Sequence, residues 1–173
     1  MTPLIYAIDP GTTQSAVVLY NPSLRNVPYH VTQPNEDVLP WLENIGREMR
    51  SRALSRLTLH LAVESVEAMG MAVGREVFET VWWAGRFHQA WGDAGLAHRV
   101  TRREVKLHLC GSMRAKDANI RQAILDRFGG SAAIGLKKTP GPLYGVKGHE
   151  FAALAVALTF ADSLGTTRRL ETA

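Results

Sequence analysis

The chain has 173 residues, 46% hydrophobic and 21% charged, with a formal net charge of +4. That length predicts one domain, and that composition excludes a disordered chain. The single cysteine, Cys110, excludes an internal disulfide framework and fits a reducing compartment. The longest apolar stretch, Phe151 to Ala161, falls short of a membrane span, and Met1 to Tyr6 lacks the basic segment of a signal peptide. The reading is a soluble, cytoplasmic protein with no membrane partner.

The elements follow in chain order. Leu4 to Ile8 is a short apolar strand stopped by Asp9-Pro10-Gly11. Gln14 to Tyr20 is a second strand, and Val27 to Val31 a third, with Pro28 marking it as an edge. Asn35 opens a helix with Val38, Leu42, Ile45 and Met49 at helical spacing. After a polar linker, Arg52 to Arg56, the run Leu57 to Val63 is continuous enough for a buried parallel strand, and it ends at Glu64. Arg75 to Trp91 is a long helix whose three tryptophans read as core or as dimer contacts. Ala97 to Thr101 is a strand, and Arg103 to Leu109 and Ala118 to Phe128 are helices. Ser131 to Gly148, rich in Gly, Pro and Lys, reads as a mobile basic loop, and Gly148 to Leu164 as an Ala-rich helix. Residues 1–165 form one domain and 166–173 a frayed polar tail. Three antiparallel strands, then alternating helices and strands, predict an α/β fold: a five-stranded mixed sheet with helices on both faces.

Charge is divided unevenly along this order. His98 to Lys147 holds eleven Lys and Arg against three Asp and Glu, a net of +8, while the remainder holds nine against thirteen, a net of −4. A basic face beside an acidic one is the footprint expected of a nucleic-acid binder that also holds cations. A solvated basic surface is the alternative.

Three places carry an ionisable residue where an apolar run stops: Asp9, Glu64 and the pair His149-Glu150. If the first and fourth strands are parallel neighbours, Asp9 and Glu64 meet at one end of the sheet, and the last helix can lay its first turn across them. Carboxylates that close repel one another and call for a cation, and oxygen donors suit Mg²⁺, with Mn²⁺ as a substitute. Two such ions can activate a water and stabilise the leaving oxygen of a phosphodiester. Singly, Asp9 is also a turn residue, Glu64 an arginine partner, and His149 and Glu150 helix-start residues.

In that order the motifs resemble those of the RuvC-like Holliday-junction resolvases of the RNase H-like nuclease superfamily. Ile8-Asp9-Pro10-Gly11-Thr12-Thr13 resembles the family's opening, and Val63-Glu64-Ser65-Val66 its second acidic motif. Gly111 to Ile120 resembles its Gly- and Lys-containing stretch, and His149 with Ala152 to Leu158 its last helix. The compact form, with Val77-Phe78-Glu79-Thr80 and Gly85-Arg86-Phe87, is most similar to phage-encoded members. Two departures stand out. Ala152 occupies the position of the family's second acid on the last helix. Glu67 replaces the aromatic wedge of the bacterial enzymes, leaving Met69 or Met71 as apolar substitutes.

The resemblance implies an RNase H-like fold and a homodimeric, Mg²⁺-dependent endonuclease that resolves Holliday junctions in branched DNA by symmetric cuts, without a nucleotide cofactor. Asp9 would bridge two ions, Glu64 would hold one, and His149 would ligate weakly or orient the attacking water. Glu150 is a conditional ligand in place of Ala152, and Asp117 reads as a helix cap rather than a ligand. Arg102, Arg103, Lys106, Arg114, Lys116, Arg121, Lys137, Lys138 and Lys147 are candidates for phosphate contact. The long helix offers Phe78, Trp82, Trp83 and Gly85 as a dimer surface. A broader branched-DNA or flap endonuclease, and a structure-specific DNA-binding protein with impaired catalysis, are the alternatives.

Overall fold

The computed structural model describes residues 3–50, 59–67, 70, 72–93 and 95–171. Its centre is a five-stranded sheet of order β3-β2-β1-β4-β5, formed by β1 (Leu4–Asp9), β2 (Gln14–Asn21), β3 (Asn26–Pro34), β4 (Leu59–Ser65) and β5 (Ala97–Thr101). β1 pairs antiparallel with β2 and parallel with β4. β3 continues the antiparallel side and β5 the parallel side. Pro28 lies on edge strand β3, where a missing N–H costs no ladder bond to a further neighbour.

Both faces are covered, because alternate residues of the central strands are apolar in both directions. Ile8, Val17, Leu61 and Val63 face α1 (Asn35–Arg50) and α2 (Arg75–Ala90). A Cβ at Gly46 would sit 2.4 Å from the carbonyl oxygen of Trp91, so the absence of a side chain there lets α1 close onto the end of α2. Trp83, Phe87 and Trp91 are buried in this layer, whereas Phe78 and Trp82 are 64% and 54% exposed. Trp83 therefore belongs to the core, and the expected dimer surface keeps Phe78, Trp82 and Gly85, with exposed Val81 beside them.

Ile5, Ala7, Ala62 and Val100 face the other layer: α3 (Arg102–Cys110), α4 (Asp117–Arg127) and α5 (Glu150–Glu171). Residues 153–158 of α5 have no exposed surface, which matches a helix apolar all round and enclosed by the sheet, α3 and α4. α3 begins with a capping box between Thr101 and Glu104 and stops at Gly111, whose φ of 65° is left-handed. The last turns of α3 and α4 are tied to the middle of α5 at Asp162. That carboxylate accepts from His108 Nε2 at 2.7 Å and from Arg127 Nη1 and Nη2 at 2.5 and 2.7 Å. Burial opposes its ionisation, but the Arg127 and His108 hydrogen bonds outweigh that and hold Asp162 below its ordinary range.

Two expectations change. Residues 131–148 are built rather than featureless. They hold a 3₁₀ turn (Gly130–Ala133), the two-residue strands β6 (Gly135–Leu136) and β7 (Thr139–Pro140), and the buried anchors Leu143 and Val146. The Leu143 N–H donates to the Ala133 carbonyl at 2.8 Å, a bond that local periodicity could not reveal. The last helix also runs on to Glu171, past the expected Leu164. The linker Arg52–Arg56, the expected strand start at Leu57, and Met69 and Met71 lie outside the described residues. Among the described residues no helix is long and apolar enough to cross a membrane.

Candidate active site

β1 and β4 are in parallel register through Ile8 and Val63, so the next residues, Asp9 and Glu64, stand side by side where both strands end. They share the face of Ala7 and Ala62, beneath the start of α5. Their carboxyl groups are hydrogen-bonded to each other. Burial, then the charge of Asp9 and that hydrogen bond, push Glu64 up to about 8, and Arg102 opposes the shift.

Arg102 opens α3 directly after β5. Its Nη1 donates to Glu64 Oε1 at 3.3 Å, and its Nη2 donates to Asp117 at the start of α4. Burial alone would lower the guanidinium, but Glu64 and Asp117 outweigh it and hold Arg102 above its ordinary range. α3, α4 and α5 thus all begin at this end of the sheet.

His149, just ahead of α5, is 78% exposed on its side chain, and its Nδ1 lies 2.9 Å from Asp9 Oδ2. A cleft of about 240 Å³ opens between this imidazole and the β1–β2 turn, lined by Asp9, Thr12, Thr13 and Thr32 among others. The turn is held from behind. Buried Asn35 donates through Nδ2 to the Gly11 carbonyl at 3.0 Å and accepts from Ser15 Oγ at 2.6 Å, while its own N–H donates to Thr13 O at 3.0 Å. A Cβ on Gly11 would sit 2.4 Å from the Gln14 carbonyl, so this tight return excludes any larger residue.

Glu150 turns toward β3. It is 2% exposed, and its Oε2 accepts the Lys147 N–H at 3.0 Å and lies 2.8 Å from His30 Nδ1. Thr32 Oγ1 donates to Oε1 at 3.5 Å. One residue along a helix turns a side chain by about 100°, which separates Glu150 from the position of His149. Glu150 anchors the end of the preceding loop to β3, where the ring of His30 also lies against Gly145. His30, Thr32 and Ser15, and the hold of Asn35 on Gly11, lie beyond the sequence reading because each acts through a partner distant in sequence. Asn35 alone gave a local signal, as a polar residue opening a helix.

Ala152 lies beside His149 in the groove between α4 and α5. Arg103, Arg114, Lys116, Arg121, Lys137, Lys138 and Lys147 are exposed, and Arg102 and Lys106 half-buried. Asp9 and Glu64 offer the hard oxygen donors a divalent cation requires, and their mutual contact is one such an ion would relieve, so the pair fits one. Among the described residues, however, no three His, Cys, Asp or Glu are grouped to hold a metal, and the remaining flank of Glu64 is taken by Arg102.

No family model and no curated protein matches the sequence. Solved structures do. The chain is similar to Thermus thermophilus RuvC in complex with a Holliday junction substrate, at 21% identity and a TM-score of 0.57, covering 91% of this chain and 92% of that one. It is similar also to the Thermus thermophilus RuvC structure, at 20% identity and a TM-score of 0.58, covering 94% and 97%. What this likeness establishes is architecture: the chain has the RNase H-like fold of RuvC, and its Asp9–Glu64 pair stands at the carboxyl end of that fold's parallel strands.

Proposed function

We propose that the protein is a metal-dependent endonuclease that resolves Holliday junctions by hydrolysing phosphodiester bonds in branched DNA. The observation that carries this reading is the meeting of Asp9 and Glu64 on adjacent parallel strands with His149 above them. Asp9 and Glu64 would hold Mg²⁺, one ion or two, with Mn²⁺ as a substitute. When bound, the metal would supply acidity to an attacking water and neutralise charge developing on the phosphate.

The remaining roles fall to the chain itself. Asp9 orients His149 through Nδ1, and the exposed imidazole is available to position a water at the mouth of the cleft. The Asn35–Gly11–Ser15 network fixes the turn that presents Asp9. Arg103, Lys106, Arg114, Lys116, Lys137, Lys138 and Lys147 would contact phosphates, setting register without reading bases. Symmetric cuts require two sites, and a homodimer joined through Phe78, Val81 and Trp82 of α2 would supply them.

The test is a panel of four-way, three-way, flap and linear DNA, each with Mg²⁺. Paired symmetric nicks confined to the four-way junction are expected, and lost in Asp9→Asn with junction binding retained. Equal cutting of flaps would make it a broader branched-DNA nuclease. Wild-type cutting by Asp9→Asn would overturn the mechanism. The second reading, a structure-specific DNA-binding protein with impaired catalysis, is favoured by Ala152 and by the seat Arg102 takes on Glu64. It predicts junction binding with no Mg²⁺-dependent nick.

A further inference from the structure

Between α4 and α5 runs a groove of about 330 Å³ that opens beside the acidic pair, with Arg102, Asp117, Arg121, His149, Phe151 and Ala152 among its lining residues. Its cations are placed in advance. The Arg121 guanidinium lies 4.8 Å from the ring centre of Phe151, which limits where that long side chain can go. Arg102 is held from one side by buried Glu64 and from the other by Asp117. Ala152 leaves the floor of the groove free of a larger side chain.

Asp117 differs from the other residues of this site. Its side chain is 88% exposed, so the ion pair with Arg102 is not forced by burial. It does not cap its own helix, because the residue before it, Lys116, is the N-cap. The Asp117 carboxylate takes one prong of the guanidinium, Nη2, while Glu64 takes the other, Nη1, and a phosphate oxygen could accept from Nη2 in its place. We infer that this groove seats a DNA backbone phosphate between Arg102 and Arg121, and that Asp117 occupies the phosphate's place on Arg102 in the free protein. DNA binding then exchanges one anion for another on Arg102: the phosphate arrives, the Asp117 carboxylate swings into water, and Glu64 keeps its arginine. Asp117 is thereby a competitor that lowers affinity, and neither a helix cap nor a metal ligand.

This rests on the DNA-binding reading above, and the experiment separates the two. Fluorescence anisotropy with a labelled four-way junction, in EDTA at about 0.1 M salt, compares wild type with Asp117→Asn, Arg121→Gln, Arg102→Lys and the double variant Asp117→Asn/Arg102→Lys. Asp117→Asn is expected to bind roughly 3- to 10-fold tighter and Arg121→Gln weaker by a similar factor, both differences shrinking at high salt. In the Arg102→Lys background, which cannot hold Glu64 on one prong and a second anion on the other, the gain from Asp117→Asn should fall at least by half.

If the gain is undiminished there, Asp117 acts only through net charge and the proposal is overturned. If Asp117→Asn binds no tighter but melts lower, it is a helix residue. If it binds Mn²⁺ more weakly in calorimetry without DNA, it is a metal ligand. Either result also overturns the exchange. Failure of wild type itself to bind junction or duplex would instead overturn the functional reading.

Discussion

Glu64 and Asp9 share a hydrogen bond between their carboxyl groups at the ends of two neighbouring parallel strands, and Glu64, buried there, is pushed up to about 8 from an ordinary value of 4.5. The folded protein therefore keeps a proton that the unfolded chain gives up between those two values. The folded state binds more protons across that window, so the contribution of Glu64 to stability falls as pH rises from about 4.5 to about 8. Metal-free protein should lose on the order of a few kcal/mol from this group over the range. Glu64→Gln, which imitates the protonated form, should flatten that dependence and melt several degrees higher than wild type at pH 8, while losing Mg²⁺-dependent cleavage. Thermal melts in EDTA at a series of pH values check this. Parallel pH profiles for the two proteins would refute it.

Glu150 is expected to stabilise the fold rather than ligate, because its carboxylate is already hydrogen-bonded to Lys147, His30 and Thr32. Glu150→Ala leaves the Lys147 N–H and the His30 ring without their shared acceptor. The loss should be roughly 2–4 kcal/mol of unfolding free energy. Denaturant titration measures it. Mn²⁺ affinity of the folded variant should stay within about twofold of wild type, since no donor to the ion is removed.

Ala152 lies one helical turn beyond His149 and shares its groove. Ala152→Asp adds a carboxylate on the side of the acidic pair where Arg102 and His149 lie. Divalent-ion affinity, read by calorimetry on DNA-free protein, should rise by on the order of tenfold. Unchanged affinity would place residue 152 too far from the pair to contribute.

Phe78, Val81 and Trp82 form an exposed apolar patch on α2, with the Arg86 guanidinium 4.6 Å from the Trp82 ring centre. In the proposed homodimer this patch is covered. Trp82→Glu should shift sedimentation from dimer to monomer and weaken junction binding, with the melting temperature of the monomer little changed. A wild-type chain that sediments as a monomer at micromolar concentration would remove the dimer from the proposal.

The sheet and the acidic pair were legible in the sequence because both depend on local pattern. Leu4 to Ile8 and Leu57 to Val63 are apolar runs ended by carboxylates, and a parallel pairing brings those ends together whatever lies between. The partners of Glu150 were not legible. Nothing near residue 150 points to His30 and Thr32 on β3, so a carboxylate expected near the ion sits in a buried anchor. The same holds for residues 131–148, where Gly and Pro suggested a mobile loop and burial of Leu143 and Val146 supplied the order. Charge alone marks Arg102 as a phosphate contact; its attachment to Glu64 and Asp117 depends on the starts of α3 and α4 meeting the end of β4.

The knot at Asp162 bears on how such a protein could grip a substrate. The last turns of α3 and α4 are fastened, through His108 and Arg127, to Asp162 in the middle of α5, away from the acidic pair. Helices pinned at one place are held most closely there, and any displacement among them would collect at the tips where they start. Those tips carry Arg102, Asp117 and His149. In the proposed nuclease, a DNA strand entering there would displace those tips more than the knot at Asp162, which keeps the three helices together.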